Sequence, residues 1–315
     1  MTQLHSPTRR DPNSIHERLL SDLNIRHEIN APLGLLTWYG VGGDAMVMAH
    51  PSSVQQLSKL AARCHEHKVP VYVLGAGANL LVRDAGVDGV VVHLDNRFWR
   101  QVSIKDHHVT AGAGHDLMKL VLHTVKSGLG GMEVLAGIPA SVGGAIRMNA
   151  GGAFGDIGQT VHRVQMMDTT GHVYYRQRDE LEFGYRETNI TAPYLLEVEF
   201  SLSPEDSERL GRELKQIFLY KKRSQPLAAH SAGCAFKNPP HRDEDKPLTA
   251  GGLIDRAGLK GFRIGGAEVS AVHANFVVTH EGCRAADILA VMDHVQAVVH
   301  DRHGVQLERE VVVWP

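Results

Sequence analysis

The segment HSAGCAFKNP, from His230 to Pro239, places a lone thiol among small residues, just ahead of a cation and an amide. Gly233 and its small neighbours leave the backbone free to approach a ligand closely. Lys237 and Asn238 add a positive charge and a group that both donates and accepts hydrogen bonds. Two interpretations of Cys234 fit these residues: a reactive nucleophile, or a small buried side chain that only fills space, since free cysteine is among the most buried residue types.

Charged residues that could do chemistry stand in three other places. Arg186 lies in the segment EFGYRETN, and Glu310 stands at the start of the terminal segment LEREVVVW. Each of them, taken alone, is more typical of a solvated surface charge. Lys221, Lys222 and Arg223 end a predicted long helix, where cations are favoured by the helix dipole and where an anionic substrate could also use them.

Two glycine-rich stretches could hold a ligand by the backbone alone. Gly75 and Gly77, in LGAGANLL, allow successive N–H groups to point into one concavity that suits a phosphate, although the G-x-G-x-x-G spacing of dinucleotide-binding folds is missing. A purely structural turn explains this loop equally well. The stretch from Gly137 to Gly158 is predicted to be irregular and to lie against a large flat ligand, with Ser141 and Asn149 as polar contacts, because it is too apolar for a linker.

Hydrophobic periodicity predicts the elements that position these residues. Apolar residues from Val54 to Cys64 recur at three- and four-residue spacing behind Ser52–Ser53, which predicts a capped helix that buries Cys64. Val71 to Val82 is typical of a buried strand that runs into the glycine turn, and Val90 to Leu94 of a second strand. These segments predict a βαβ-like unit with its glycine loop at the end of a strand.

The later segments predict one hairpin and two long helices. The hairpin joins VHRVQMMD to HVYYR through Thr169 to Gly171. One helix is predicted to start at Ser203 and Pro204 and to run to about Lys222, and the other spans Ala285 to His303 and stops at Gly304. Small residues after Pro226 predict a domain boundary near residue 225.

Length and composition limit the classes of protein. A chain of 315 residues predicts two or three domains, and a net charge of −2 gives no reason to expect nucleic-acid binding. Three cysteines without C-x-x-C spacing argue against a disulfide framework and against a zinc site, so no metal is predicted. Without an apolar leader or a run of about 20 apolar residues, we expect a cytoplasmic monomer that binds no membrane. The 20 histidines have no explanation at this level.

Eight motifs together resemble one family. They are TWYGVGG, LGAGANLLVRD, GIPASVGGAIRMNAGG, FGYR, SAGCAFKNP, GGLIDRAGLKGFRIGGAEVS, HANFVV and LEREV. Each is weak alone, but in this order, from about Thr37 to the C-terminus, they resemble the UDP-N-acetylenolpyruvoylglucosamine reductases, flavoenzymes that complete UDP-N-acetylmuramic acid for peptidoglycan. The short interval between Arg186 and Lys222 resembles the type II branch of that family.

This resemblance implies an α+β fold and its cofactors. It implies a two-part FAD-binding domain of the vanillyl-alcohol oxidase type, in residues 1–97 and 98–225, then a substrate-binding domain in 226–304, with the strand 305–315 returning to the first part. The cofactors are FAD and NADPH. The resemblance assigns the FAD pyrophosphate to Gly75, Ala76, Gly77, Ala78, Asn79 and Leu80, with Ala78 where the family commonly has serine. It assigns the rest of the flavin to Gly137, Ile138, Pro139, Ser141, Gly143, Gly144, Ala145, Asn149 and Gly151.

The resemblance also implies a reaction. NADPH reduces FAD and leaves, and hydride from flavin N5 adds to the enolpyruvyl ether of UDP-N-acetylglucosamine. Arg186 and Glu310 match the catalytic arginine and glutamate that flank the developing negative charge, and Cys234 replaces the serine that donates a proton in many members. Because a free thiol has a pKa of about 8.5, the replacement preserves the role and predicts sensitivity to alkylation and to pH. For the substrate, the resemblance assigns Asn238, Lys260 and His273, with Lys222 at the diphosphate.

Two other functions remain open at this level. An oxidase of the same fold that acts on a sugar or an alcohol would leave HSAGCAFKNP and LEREV unexplained. A catalytically silent protein that binds a nucleotide sugar is suggested by Ala78 and Cys234, which both replace serine.

Overall fold

The computed structural model describes residues 11–226, 230–240 and 248–315 of the chain. Within these ranges the α-helices are α1 (Pro12–Leu19), α2 (Val54–Glu66), α3 (Leu117–Lys126), α4 (Val142–Arg147), α5 (Ser207–Ser224), α6 (Ala250–Arg256) and α7 (Ala285–His303). The strands are β1 (Arg26–Pro32), β2 (Asp44–His50), β3 (Val71–Leu74), β4 (Leu80–Val82), β5 (Val87–His93), β6 (Val102–Lys105), β7 (His108–Gly112), β8 (Leu129–Gly130), β9 (Gly151–Gly152), β10 (Gly155–Asp156), β11 (Val161–Met167), β12 (Val173–Gln177), β13 (Phe183–Gly184), β14 (Glu187–Thr188), β15 (Tyr194–Ser201), β16 (Ser203–Pro204), β17 (Arg263–Ile264), β18 (Ala267–Val269), β19 (Val277–Thr279) and β20 (Val312–Trp314). None of the helices in the described part of the chain combines the length and the apolar character needed to cross a membrane.

The first sheet has the strand order β1-β2-β5-β3, with β5 parallel to both β2 and β3. Helix α2 connects β2 to β3, so the predicted βαβ-like unit is confirmed. Its N-cap is Ser53, whose hydroxyl accepts a hydrogen bond from the N–H of Gln56, and Cys64 is buried on its inner face as predicted. The sheet ends at the loop from Gly75 to Asn79, between β3 and β4.

The second sheet is antiparallel, with the order β12-β11-β15-β7-β6, and it contains the predicted hairpin of β11 and β12. Helix α5 begins at Ser207, so the prediction that it starts at Ser203 and Pro204 is wrong. These two residues instead pair with β8. The helix starts where Asp206 accepts a hydrogen bond from the N–H of Arg209, because this capping carboxylate satisfies a free N–H of the first turn.

The glycine-rich stretch from Gly137 to Gly158 is more regular than predicted, since it contains α4 and the pair β9–β10. The hydroxyl of Ser141 caps α4 by accepting from the N–H of Gly144. Val142, Ala145 and Ile146 are buried on the inner face of this helix. The cap and the buried face compensate for the low helix propensity of glycine. A prediction from composition takes account of that propensity alone and therefore misses this helix.

The C-terminal part of the chain combines the sheet β17-β18-β19 with α6 and α7. Helix α7 has the predicted bounds, and Gly304 ends it in a left-handed conformation with φ 64°. The last strand, β20, runs parallel to β4, and Val312 pairs with Leu80. The chain therefore ends beside the glycine loop that follows β3.

Candidate active site

Glu310 is held between the glycine loop and the cysteine segment. The side-chain amide of Asn79 donates to the carbonyl of Glu310 over 3.1 Å, and the N–H of Val312 donates to the carbonyl of Asn79. The N–H of Glu310 donates to the carbonyl of Ala235 over 2.9 Å. These contacts place the carboxylate of Glu310 next to Cys234 without the help of a ligand.

Arg186 reaches the same place from the turn that joins β13 to β14. Its Nε donates to Oε1 of Glu310 over 2.5 Å, and the side chains are 19% and 10% exposed. The backbone of Arg186 has φ 60°, a left-handed conformation that is unfavourable for a residue with a side chain and that is found at functional sites. Two residues that are 124 positions apart thus form a largely buried ion pair.

Burial and charge shift the pKa of both members of this pair. Burial raises the pKa of Glu310 above its ordinary value, and this effect outweighs the opposing charge and hydrogen bond of Arg186. Burial alone would lower the pKa of Arg186, but the charge of Glu310 outweighs it, so the guanidinium stays protonated. The carboxyl of Glu310 therefore takes up a proton more readily than a surface carboxyl does.

Cys234 is partly buried beside the ion pair. Burial raises the pKa of its thiol from 9.0 to about 12, and the charge of Glu310 adds to this shift, while Arg186 and a hydrogen bond from Asn275 oppose it. The thiol is therefore a weaker acid than a free cysteine, because burial penalises the thiolate. At neutral pH the residue is a thiol, which can donate a proton.

Asn275 fixes the backbone next to Cys234. It is buried, its amide oxygen accepts from the N–H of Phe236 over 3.0 Å, and its amide nitrogen donates to the carbonyl of Phe236 over 2.8 Å. Its own carbonyl accepts from the N–H of Ala235. Asn275 was not among the residues predicted from the sequence, although a polar amide between apolar residues in HANFVV indicates a buried structural role.

A cavity of about 300 Å³ opens beside the thiol. Cys234, Asn238, Lys260 and His273 all line it, so three of the four residues assigned to the substrate lie together with the cysteine. Lys260 pairs with Asp255, with 2.8 Å between Nζ and Oδ2. Burial lowers the pKa of His273 below its ordinary value, so its ring is neutral at physiological pH.

Lys222 lies outside this group. It is exposed on α5 and lines neither this cavity nor the larger one described next. Its neighbour Lys221 is buried, and its Nζ donates to the carbonyl of Ala136 over 2.7 Å. Burial and the charge of Arg186 lower the pKa of Lys221 to about 8. Of the predicted cationic cluster, Lys221 is therefore the residue that approaches Arg186.

A larger cavity of about 520 Å³ lies where the glycine loop meets the start of α4. Gly75, Ala76, Ser141, Gly143 and Gly144 line it, as the sequence predicts for a bound flavin. Its walls also include residues that the sequence did not single out: His93, Arg100, Gly114, His115, Asp116, Lys119 and Arg147.

The glycines of this loop are required by close packing. A Cβ on Gly75 would lie 2.6 Å from the hydroxyl of Ser141, and a Cβ on Gly77, which has φ +65°, would lie 1.9 Å from the carbonyl oxygen of Leu36. Only glycine fits at Gly77, and a side chain at Gly75 would displace the hydroxyl that caps α4. The cavity therefore has a backbone-lined wall with Arg100 and Lys119 on its rim, which suits an elongated ligand that carries phosphates.

Comparison with known proteins decides the family. Residues 225–314 match the UDP-N-acetylenolpyruvoylglucosamine reductase C-terminal domain, and residues 45–175 match an FAD binding domain. The UDP-N-acetylenolpyruvoylglucosamine reductase of Heliobacterium modesticaldum is 40% identical over 284 residues, which cover 90% of this chain and 88% of the relative. The chain belongs to the UDP-N-acetylenolpyruvoylglucosamine reductase family. The enzyme of that name from Moorella thermoacetica is 38% identical and covers 96% of this chain and 98% of its own.

A solved structure agrees with this membership. The crystal structure of UDP-N-acetylenolpyruvylglucosamine reductase from Thermus caldophilus matches with a TM-score of 0.78 and 35% identity, over 93% of this chain and 99% of that one. As a member of the UDP-N-acetylenolpyruvoylglucosamine reductase family, the chain is an FAD-binding oxidoreductase. The predicted α+β fold, with an FAD-binding domain ahead of a C-terminal domain of this family, is confirmed.

The residues present fit FAD, although the structure gives several of the assigned positions a supporting role. The carbonyl of Ala78 accepts from the N–H of Gly233, and Asn79 holds Glu310. Asn149 is buried, donates to the carbonyl of Gly184 and accepts from the N–H of Gly158. The remaining assigned residues are Leu80 and Ala145, which are buried, Gly137, Ile138 and Pro139, which are partly buried before α4, and Gly151, which pairs with Asp156.

Proposed function

We propose that this chain reduces UDP-N-acetyl-3-O-(1-carboxyvinyl)glucosamine to UDP-N-acetylmuramate, with NADPH as the electron source and FAD as the carrier. The observation that carries this proposal is the Arg186–Glu310 ion pair beside a protonated Cys234, at a cavity that also presents Asn238, Lys260 and His273. An enol ether with a carboxylate needs those functions: a cation, a positioned carboxyl and an acid. The names of the relatives support the same substrate.

The larger cavity would hold the cofactor. Gly75, Ala76 and Gly77 would bind the FAD diphosphate through backbone N–H groups, and Ser141 to Gly144 would line the flavin. When bound, FAD supplies the hydride that adds to the terminal carbon of the substrate double bond. Lys119 and Arg100, on the cavity rim, add positive charge where an anionic cofactor needs it.

The protein groups complete the chemistry. Arg186 remains cationic and stabilises the negative charge that develops toward the substrate carboxylate, in a site with little water to screen it. Cys234 donates the proton to the resulting carbanion-like carbon as a general acid and makes no covalent bond to the substrate. Asn275 holds the backbone of Ala235 and Phe236, directly after this thiol, so the proton is delivered to one face.

The smaller cavity would hold the nucleotide sugar. Lys260 is the cation that lines it, and Asn238 and the neutral His273 offer hydrogen bonds. Lys222 at the substrate diphosphate remains a prediction from the resemblance, as do the type II assignment, the domain boundaries, the monomeric state and the cytoplasmic location.

The decisive experiment separates the two halves of the reaction. The purified protein should be yellow, and addition of the enolpyruvyl substrate should accelerate NADPH consumption without oxygen uptake. Cys234→Ser should keep substantial activity, whereas Cys234→Ala should leave flavin reduction by NADPH intact and block the second half-reaction. Cys283→Ala is the matched control. A colourless protein, or NADPH oxidation that depends on oxygen instead of substrate, refutes the proposed function, and normal turnover by Cys234→Ala refutes the role of the thiol.

A further inference from the structure

Three ligand-type side chains meet at one edge of the first sheet, away from Cys234. Ala49 of β2 pairs with Val92 of β5, so His50 and His93, the next residue on each strand, end the two parallel strands side by side. Asp95 follows two residues later. One nitrogen from each histidine and one oxygen of Asp95 lie within 4.8 Å of one another. In this cluster, His50–His93–Asp95, the two histidines end the two central strands of the sheet.

His50 lacks the partners that a buried imidazole needs. Its side chain is 4% exposed, with Nδ1 3.0 Å from Oδ1 of Asp95 and Nε2 3.5 Å from Oε1 of Glu28. Neither ring nitrogen makes an aligned hydrogen bond to any residue that the structure describes. A neutral imidazole has one N–H, so one of its nitrogens directs a lone pair at a carboxylate oxygen. Such an arrangement is unfavourable unless a cation lies between the two atoms.

The surroundings of the cluster are those of a metal site. Nη2 of Arg26 donates to Oδ2 of Asp95 over 2.6 Å, which satisfies the far oxygen and leaves Oδ1 on the side of His50. Glu28 faces Nε2 of His50, where an outer carboxylate orients a ligating imidazole and leaves Nδ1 free to bind. The carboxylates of Asp95 and Glu28 face His50, and the charges of Arg26 and Arg100 lie near the cluster as well.

We propose that His50, His93 and Asp95 bind one Zn²⁺ ion, with solvent in the fourth position. Two imidazole nitrogens and one carboxylate oxygen are a ligand set that zinc accepts in tetrahedral geometry, whereas Mg²⁺ and Ca²⁺ take oxygen ligands. The prediction of no metal site depended on the three cysteines, and this site uses none of them. His93 also lines the larger cavity, whereas Asp95 does not, so the cluster adjoins the proposed cofactor site. Its test measures metal binding and does not depend on the proposed reaction.

The chain provides a matched control. His108, His162 and Glu199 also have ligand atoms within 4.8 Å of one another, on the second sheet. Their histidine side chains are 36% and 45% exposed, and Glu199 already pairs with Arg163 over 2.7 Å. A histidine removed from this group should not affect zinc binding at the first cluster.

The experiment uses the holoenzyme without an affinity tag, because an oligohistidine tag binds the same ions. Titration with Co²⁺ should produce the visible bands of a tetrahedral site, to the red of flavin absorption, and one equivalent of Zn²⁺ should abolish them. His93→Gln and Asp95→Asn should each lose the bands, while His162→Gln keeps them. Arg26→Gln should weaken zinc binding about 10- to 100-fold, as for other outer-sphere partners of a metal site.

His93 and Asp95 are both partly exposed, so their variants should fold, and far-UV circular dichroism checks this. The proposal is overturned if the wild type takes up Zn²⁺ no more tightly than His93→Gln, or if His162→Gln loses the bands instead. It is also overturned if the wild type shows no Co²⁺ bands and ¹⁵N NMR shows His50 as a doubly protonated imidazolium. In that last case a second proton on the His50 ring, and no metal ion, pairs with the carboxylates of Asp95 and Glu28.

Discussion

The reactivity of Cys234 tests the electrostatics of the site directly. A pKa raised from 9.0 to about 12 lowers the thiolate fraction at neutral pH about a thousandfold. A thiolate of higher pKa is more nucleophilic, with a Brønsted coefficient of about 0.4–0.5, so the net effect is a reaction that is roughly 30- to 60-fold slower. We therefore expect Cys234 to be slow toward alkylating agents, contrary to the sequence-based expectation of alkylation sensitivity.

The assay measures the initial rate of iodoacetamide modification at pH 7.4. Peptide mass spectrometry resolves Cys234 from Cys64 and Cys283, so no cysteine has to be replaced. The same chain unfolded in urea is the reference, because there the thiol has its ordinary pKa. The native rate at Cys234 should be lower by the factor given above.

The pH dependence separates ionisation from restricted access. If the pKa is about 12, the native rate should rise about tenfold for each pH unit up to pH 10, without a plateau. Restricted access alone would lower the rate at every pH and leave a plateau near pH 9. A native thiol that reacts as fast as the unfolded chain, or a plateau near pH 9, contradicts the reasoning.

Four further predictions concern the glycine loop, the backbone beside Cys234 and the charges at the ion pair. Gly77→Ala introduces a Cβ 1.9 Å from the carbonyl oxygen of Leu36 and should cost about 1–3 kcal/mol of unfolding free energy, together with bound flavin; absorbance and thermal unfolding measure this, with Gly211→Ala as the control, because its Cβ has open space inside α5 and the variant should keep its flavin and gain up to about 1 kcal/mol. Asn275→Ala leaves the buried N–H and carbonyl of Phe236 unpaired and should cost about 1–3 kcal/mol for each group in urea unfolding; unchanged stability would refute its positioning role. Arg186→Lys keeps the charge and loses the guanidinium, so turnover should fall about 10²–10³-fold while stopped-flow flavin reduction by NADPH continues; equal losses in both half-reactions would contradict this. The charge of Lys221 lies close to Arg186 and is lost as the pH increases through about 8, so the attraction for a substrate carboxylate at Arg186 should weaken and substrate KM should rise; Lys221→Met should abolish that rise, and an unchanged profile would show that this charge plays no part.

Local structure was largely predictable from the sequence. Helix α7 has the predicted bounds, and α2 has the predicted serine cap, because helix periodicity and capping depend on residues within one or two turns. The predictions were wrong where contacts with residues distant in sequence determine the local structure. Pro204 pairs with β8 instead of starting α5, and α4 forms in a glycine-rich stretch because its buried face packs on the core.

Parts of the site were predictable from residue types and from the order of the motifs, and not from local periodicity. The glycine loop and the cysteine segment are recognisable by residue type, and the motif order resembles the family to which the chain belongs. The roles of Asn275 and Lys221 were not predictable, because each depends on a backbone carbonyl or N–H that is distant in sequence, such as Ala136 for Lys221 and Phe236 for Asn275.

By itself, the sequence determined the residue types, the helices and strands near them, and the family. Only the tertiary structure brought Arg186 to Glu310 across 124 positions, and burial together with the charge of Glu310 made Cys234 a weaker acid than a free cysteine. The tertiary structure also placed His50 beside His93 and Asp95, a cluster that no sequence motif of fixed spacing predicts. The physical reason is the same in each case: ion pairing and pKa depend on distance and on the loss of water around a group, and both are properties of the packed chain.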